Sequence, residues 1–338
     1  MDKNTLEHQY KSLMTSYLHG KEEKSLYAAQ QLSKMMLEEK VSPEELVSYH
    51  ISAMKAFQRE VPQFVMDSFE FLLEVIMGYG IAYREHLSLR SKQQQLTSEI
   101  EVAANMQHTL LPHDPPQING LEIGVTSVPA NQMSGDYYNF VDHDYYNLGV
   151  ALADIIGKGI PAALCMSMIK YAMDSFYDQQ LMPKDILRRL NSIVERNVDS
   201  SMFITMVYGV YHIGHHRFTY AGAGHEPGFF YDGENGILQD LETKGLVLGV
   251  SRNATYPEYS VNLKPGDAVI LFSDGVTECR IDGDFLERTQ LKQLIHKHID
   301  KKAQQVTDDI YEECFNLANF EQHDDHTMIV IRRTNTDV

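Results

Sequence analysis

The first third of the chain repeats apolar residues at the spacing of one helix face. This spacing recurs in four segments: residues 6–18, 25–39, 43–57 and 62–83. The segments contain little glycine or proline and little strand-like alternation. The pattern therefore predicts four helices over residues 1–84, packed as a small antiparallel bundle.

One helix start in this region is marked by its own residues. Ser42 is a suitable N-cap, Pro43 stands at the first helical position, and Glu45 follows Ser42 by three residues. A serine and a glutamate at this spacing form a capping box, in which each side chain bonds the other residue's backbone N–H. The third helix is therefore predicted to begin at Pro43.

Residues 85–117 are mostly polar, but they keep an apolar stripe at nearly heptad spacing. The stripe comprises Leu89, Leu96, Ile100, Ala103, Met106 and Leu110. Polar residues interrupt it at Gln93, Thr97 and Gln107, and Pro112 is expected to end the helix. The pattern predicts a coiled-coil linker helix between two chains, and the alternative is a further bundle helix packed within one chain.

From about residue 118 the pattern changes to short apolar runs separated by Gly, Asn and Asp turns. Several runs follow one another with turn-length gaps, which favours antiparallel hairpins. Helical periods intervene at residues 160–176, 183–197 and 302–318. Strands in series with separate helical layers predict an α+β sandwich over residues 118–338, and they argue against a doubly wound parallel sheet.

Composition narrows the class of protein. The chain of 338 residues has a formal net charge of −18, which disfavours partners such as nucleic acid and anionic membranes and favours divalent cations. The longest apolar run, residues 71–83, is too short to span a bilayer and contains Glu74. The N-terminus lacks the apolar core of a signal peptide. Cys165, Cys279 and Cys314 share no metal-binding spacing. We expect a soluble, cytoplasmic protein with free thiols.

Aspartates stand at the ends of the predicted strands. They are Asp136, Asp154, Asp274 and the pair Asp324–Asp325. A single carboxylate at a strand end is usually a solvated turn former. Clustered carboxylates repel each other by about 4 kcal/mol per pair at 4 Å in a medium of dielectric constant 20. Because carboxylate oxygens are preferred ligands of Mg²⁺ and Mn²⁺, a protein that gathers four of them is expected to bind such ions.

Six motifs follow one another in the second half of the chain: SGDYYNF, ADIIGKGIPAALCMS, TYAGAGHEPGFFY, GLVLGV, LFSDGVTE and HDDHTMIVIRR. Together they resemble the SpoIIE-like branch of the metal-dependent type 2C (PPM) serine/threonine phosphatases. The resemblance covers about residues 118–334 and implies an α-β-β-α sandwich. The N-terminal bundle and linker resemble those of the branch members that regulate a general-stress sigma factor.

The resemblance also implies a binuclear Mn²⁺ or Mg²⁺ centre. The implied ligands are Asp136, Asp154 as the bridging acid, the backbone carbonyl of Ile155, Asp274 and Asp324, with Asp325 in a supporting role. The implied reaction is hydrolysis of a phosphoserine or phosphothreonine ester by a hydroxide that bridges the metals. Family members place an arginine near the first acid to hold the phosphate, and residues 129–136 contain none.

The partners are also implied by the resemblance. The substrate would be the phosphorylated form of an anti-sigma-factor antagonist, and the activator an RsbT-like switch kinase that binds the N-terminal domain. We further expect a homodimer.

Three other interpretations are open to the sequence. Gly157, Gly159 and Ala162 fit a dinucleotide-binding fingerprint, although the following residues continue as a helix where a second strand is required. His225, His323 and His326 suggest zinc, but lack the spacing of a zinc module. The chain could also be a catalytically idle scaffold that recruits partners.

Overall fold

The computed structural model describes residues 3–58, 61–144, 146–157, 159–176, 181–199, 202–281 and 284–334. The chain divides into two compact units between Thr97 and Ser98. Over the ranges just given, none of the helices combines the length and the hydropathy needed to cross a membrane.

The first unit is helical, as the apolar spacing predicts. Its helices are α1 (Lys3–Gly20), α2 (Glu23–Glu38), α3 (Pro43–Phe57) and the first part of α4 (Gln63–His108). A small core joins the first three helices through Leu6, Leu32, Met36 and Tyr49. The predicted capping box is confirmed: Ser42 Oγ accepts from the Glu45 N–H, and Glu45 Oε2 accepts from the Ser42 N–H.

Helix α4 is continuous over 46 residues. The sequence pattern places a boundary between the bundle and the linker at residues 84–85, but α4 passes through that boundary without a break. It ends at His108, four residues before Pro112. The change from apolar to polar residues alters what the helix exposes, whereas its backbone continues because the residues on both sides are good helix formers. The domain limits 1–84, 85–117 and 118–338 remain predictions.

The second unit contains two five-stranded sheets. The first has the strand order β1 (Leu121–Val128), β12 (His326–Arg333), β9 (Ala268–Phe272), β6 (Phe229–Asp232) and β7 (Ile237–Asp240). The second has the order β2 (Asp136–Asp144), β3 (Asn147–Ile155), β4 (Ile204–His212), β5 (Arg217–Ala223) and β8 (Glu258–Asn262). A separate short hairpin pairs β10 (Arg280–Ile281) with β11 (Asp284–Phe285). Each ladder between these strands is antiparallel.

Alternating side chains of the strands build three hydrophobic layers. In β4, Met206 and Tyr208 face the core beneath α5 (Ile160–Asp174) and α6 (Pro183–Asn197), whereas Val207 faces the layer between the sheets. In β12, Val330 faces the core beneath α8 (Arg288–His298) and α9 (Ala303–Leu317), whereas Ile331 faces the middle layer. The α-β-β-α sandwich is therefore confirmed, and its longer helices lie within a few residues of the predicted spans.

Candidate metal centre

Two of the predicted ligands lie side by side at one edge of the second sheet. The antiparallel register of β2 and β3 pairs Asp136 with Asp154. Gly135 precedes the first acid and packs against the second strand, where a Cβ at Gly135 would lie 3.1 Å from the Ile155 carbonyl oxygen and 3.2 Å from Asp154 Oδ1. A larger residue at Gly135 would therefore push against the Ile155 carbonyl and the Asp154 side chain by a few tenths of an ångström.

The other two predicted ligands come from neighbouring strands of the first sheet. Asp274 follows β9 and begins the short helix α7 (Asp274–Thr277), and Asp324 stands just before β12. The two segments touch through their backbones, because a Cβ on Gly275 would lie 2.1 Å from the carbonyl oxygen of Asp325. No larger residue fits at Gly275 without moving one of these segments.

Electrostatics shows that the acids of the two sheets face one another. Burial raises the pKa of Asp154 to about 7, and the charges of Asp274 and Asp324 on the opposite sheet add to the shift. Burial also raises the pKa of Asp274 to about 6, with Asp324 and Glu278 contributing. Asp154 and Asp324, one from each sheet, line an open cleft of about 190 Å³ together with Ile155, whereas Asp136 and Asp274 do not line it.

Asp136 is the most deeply buried of these acids, with 1% of its surface exposed. Burial raises its pKa well above the usual range, hydrogen bonds with Thr327 and Ser273 oppose the shift, and the charges of Asp154 and Asp325 increase it. Its Oδ2 atom has no hydrogen-bond partner among the described residues. A buried carboxylate oxygen without a partner is costly unless the carboxyl group is protonated or a cation binds it.

These residues suit a hard divalent ion, because all the donors are oxygens and several are carboxylates. Across the described part of the chain, however, no three acidic, histidine or cysteine side chains are close enough to hold one ion. The assignment of these residues as ligands of a binuclear centre therefore stays a prediction.

Asp325 has a different role from its neighbour Asp324. Its Oδ1 accepts a hydrogen bond from the Ala130 N–H at 2.7 Å, and its Oδ2 accepts one from the Gly135 N–H at 2.5 Å. Both oxygens therefore hold the loop that leads to Asp136. These contacts give Asp325 a supporting role in the loop, and the assignment of Asp324 as a metal ligand stays a prediction.

The environment of Gln107 differs from the one that the heptad pattern predicts. The heptad stripe treats it as a polar position in a coiled-coil seam, but it is only 5% exposed and bonds the backbone of Ser134, two residues before Asp136. Leu110, the last residue of the stripe, packs with Leu111 against the core beneath α5. The end of the stripe thus belongs to the sandwich. Helical spacing alone could not distinguish these two environments.

A second cleft also has Asp324 in its lining. Glu278, Arg280 and His323 are among its lining residues. The Arg280 guanidinium is exposed and lies 5.4 Å from the centre of the Phe285 ring. Arg280 is far from Asp136 in the sequence, so the motif around Asp136 gives no indication of it.

The structure also bears on the alternative interpretations. The strand before Gly157 pairs antiparallel with both of its neighbours, whereas a dinucleotide-binding unit requires parallel strands, so that alternative is wrong. His225 Nδ1 lies 2.9 Å from Thr205 Oγ1, and His326 packs edge-on against Tyr311. These contacts support structural roles for the two histidines. The three cysteines are free thiols, as expected.

Comparison with known proteins agrees with the fold and motifs. The family described as "Stage II sporulation protein E (SpoIIE)" matches residues 144–334, and "Phosphoserine phosphatase RsbU, N-terminal domain" matches residues 8–82. The phosphoserine phosphatase RsbU of Bacillus subtilis (strain 168) is 50% identical over 331 residues, which cover 98% of this chain and 98% of that protein.

Solved structures show the same fold at low sequence identity. The SiaA-PP2C domain of Pseudomonas aeruginosa has a TM-score of 0.63 at 18% identity and covers 72% of this chain and 98% of its own. The PP2C phosphatase domain of Bacillus subtilis SpoIIE, with a fragment of its regulatory domain, has a TM-score of 0.58 at 16% identity and covers 81% and 98%. The chain therefore belongs to the SpoIIE family of PPM-type serine phosphatases, and it carries the N-terminal domain of the RsbU-type members.

Proposed function

We propose that this phosphatase acts with two Mn²⁺ or Mg²⁺ ions at the cleft between the two sheets. The proposed ligands are Asp136, Asp154, Asp274, Asp324 and the backbone carbonyl of Ile155. The observation that carries the proposal is that Asp154 and Asp324, one from each sheet, line the same cleft. Burial raises the pKa of Asp154 to about 7, and the charges of Asp274 and Asp324 add to the shift. Such a cluster is unfavourable unless cations neutralise it.

Bound ions would activate a water molecule and neutralise charge on the phosphoryl group. The residues of the chain hold the proposed metal ligands in place. Asp136 and Asp154 are fixed opposite each other by the β2–β3 register, and the Ile155 N–H donates to the Gly135 carbonyl at 3.0 Å. In the reaction, the oxygen of water bonds to phosphorus, the bond from phosphorus to the seryl oxygen breaks, and that oxygen leaves with a proton.

Arg280 is our candidate for the phosphate contact that the missing family arginine leaves open. It lines a cleft together with Asp324, and its guanidinium could present two parallel N–H groups to a phosphate. This places a fixed positive charge beside the acidic cluster, where an anionic substrate would otherwise be repelled.

We infer that the substrate is the phosphoserine form of an anti-sigma-factor antagonist. Its dephosphorylation would activate a general-stress sigma-factor pathway. The support is similarity: half of the residues are identical to a phosphoserine phosphatase RsbU over nearly the full length of both chains.

We also infer that an RsbT-like switch kinase activates the enzyme through its N-terminal domain. Helix α4 exposes a band of large apolar side chains in this domain at i, i+4, i+8 spacing: Val75, Tyr79 and Tyr83. Exposed apolar surface of this kind is typical of protein-binding sites. Further along α4, Leu89 and Leu96 are each 59% exposed. Their exposure favours the predicted seam between two chains over packing within one chain, and it supports a homodimer.

The direct test measures phosphate release from a phosphoserine form of the antagonist, with Mn²⁺ and with or without the switch kinase. We expect activity from the wild type and almost none from Asp154→Asn. The control is Asp142→Asn, which makes the same change of charge at an exposed position of β2. If Asp154→Asn turned over substrate like the control, the proposed site would be wrong. A wild type that hydrolyses no phosphoester would instead favour the idle scaffold.

A further inference from the structure

We propose that Gln107 is a positioning residue for the phosphatase reaction: it ties the C-terminal end of α4 to the loop that presents Asp136. This inference rests on the proposed function, because it gives Asp136 a role in metal binding. It also replaces the interpretation of Gln107 as a polar position in a coiled coil.

The contact is made by both ends of one amide group. Gln107 Nε2 donates to the Ser134 carbonyl oxygen at 2.6 Å, and Gln107 Oε1 accepts from the Ser134 N–H at 3.0 Å. Because the side chain binds both polar groups of one residue, it fixes the direction of the backbone as well as its distance. The glutamine is buried, so water cannot easily replace these bonds.

The bonds of the next two residues carry this restraint to the acid. The Gly135 N–H donates to Asp325 Oδ2, and the Asp136 N–H donates to Ser134 Oγ at 3.1 Å. Three consecutive N–H groups are therefore held by side chains. Asp325 supplies one restraint from the sandwich, whereas Gln107 supplies another from α4.

The position of Gln107 near the end of α4 bears on regulation. Helix α4 begins at Gln63 in the N-terminal unit and ends at His108, one residue after Gln107. A movement of the end of α4 would pull on Ser134 and so displace Asp136. Free loop motion without this anchor would weaken metal binding, because the ion would have to order the loop. Gln107 is thus the residue through which a change in α4 would reach the metal site.

The test compares Gln107→Leu with Asn105→Leu in the full-length protein. Both changes replace an amide with a leucine of similar size, but Asn105 is exposed on the same turn of α4. Mn²⁺ binding is measured by calorimetry, and hydrogen exchange of residues 134–136 is measured without metal. For Gln107→Leu we expect about tenfold weaker Mn²⁺ binding, equivalent to about 1.4 kcal/mol, together with faster exchange. At saturating Mn²⁺, kcat should stay within about twofold of wild type. Asn105→Leu should match wild type in each measurement.

Gln107→Asn provides a milder second variant if Gln107→Leu does not fold. It keeps the amide, but the shorter side chain cannot make both bonds, so we expect a smaller change in the same direction. Wild-type Mn²⁺ affinity and wild-type exchange in a folded Gln107 variant would overturn the inference. So would equal changes in Asn105→Leu. If the wild type bound no Mn²⁺, the proposed function would fail, and the metal-free exchange measurement would still decide whether Gln107 anchors the loop.

Discussion

Replacing Asp154 with asparagine should have opposite effects on stability with and without metal. Asp154 is a half-buried carboxylate among other acids, so its charged form is unfavourable in the metal-free protein. An asparagine side chain at this position would keep the shape and remove the charge. The substitution should therefore stabilise the protein in EDTA and reduce the stabilisation that Mn²⁺ provides.

The magnitude follows from the pKa of Asp154, which rises from 3.8 to about 7 in the folded protein. The folded state therefore holds this proton more tightly than the unfolded state. The stabilisation that this tighter proton binding gives the folded state is fully present below pH 3.8. It is lost as the pH rises to 7, by about 1.4 kcal/mol per pH unit and about 4 kcal/mol at most. Because the asparagine must still be buried, we expect a net gain of about 2 kcal/mol at pH 8. For a unit of this size, that gain raises Tm by about 4–8 °C.

The assay is thermal unfolding between pH 4 and pH 8, in EDTA and in Mn²⁺. In EDTA, the advantage of Asp154→Asn should grow from pH 4 to pH 7 and then level off. At an Mn²⁺ concentration 100 times the Kd, wild type should gain about 2.7 kcal/mol, and the variant should gain much less. The exposed control Asp142→Asn should follow wild type. The reasoning is refuted if Asp154→Asn is no more stable than wild type in EDTA at pH 8, or if Mn²⁺ stabilises both equally.

Three further outcomes are expected. Gly275→Ala should lower the free energy of unfolding by about 2 kcal/mol or more, because its Cβ would overlap the Asp325 carbonyl. An unchanged midpoint of chemical denaturation would contradict the close approach of Gly275 to Asp325. Arg280→Met should raise KM for the phosphoprotein about tenfold with a smaller effect on kcat, if this side chain holds the phosphate; equal KM values would exclude that role. Exchanging Leu96 and Ile100 for asparagine should prevent activation by the proposed switch kinase and disrupt the proposed homodimer, as ultracentrifugation would show. A normal response would make the linker a passive tether.

Local features of the fold could be predicted because their causes lie within a few residues. The Ser42–Glu45 capping box is an interaction over three positions, and it marks the start of α3 in both sequence and structure. The alternation of β4 likewise separates Tyr208 from Val207 into different layers. Sheet order is not local: β12, at the end of the chain, lies between β1 and β9. The α-β-β-α arrangement was expected from family resemblance rather than from periodicity.

The site also combines features with local causes and features that depend on residues distant in the sequence. Each aspartate could be assigned to a strand end from its neighbours along the chain, but the pairing of Asp136 with Asp154 depends on the β2–β3 register. Gln107 could not be interpreted correctly, because a buried amide and a polar coiled-coil position have the same helical spacing. Its partner, Ser134, lies 27 residues away in the sequence. The contact with Ser134 therefore determines the environment of Gln107, which the local sequence pattern does not.

The measurement that tests the metal centre most directly is a calorimetric titration of the metal-free protein with Mn²⁺. Wild type and Asp142→Asn should each bind about two ions per chain, as expected for a binuclear centre. Asp154→Asn should lose at least one of them, because Asp154 would be a ligand of both ions in the proposed centre. Wild-type stoichiometry and affinity in Asp154→Asn would contradict the account.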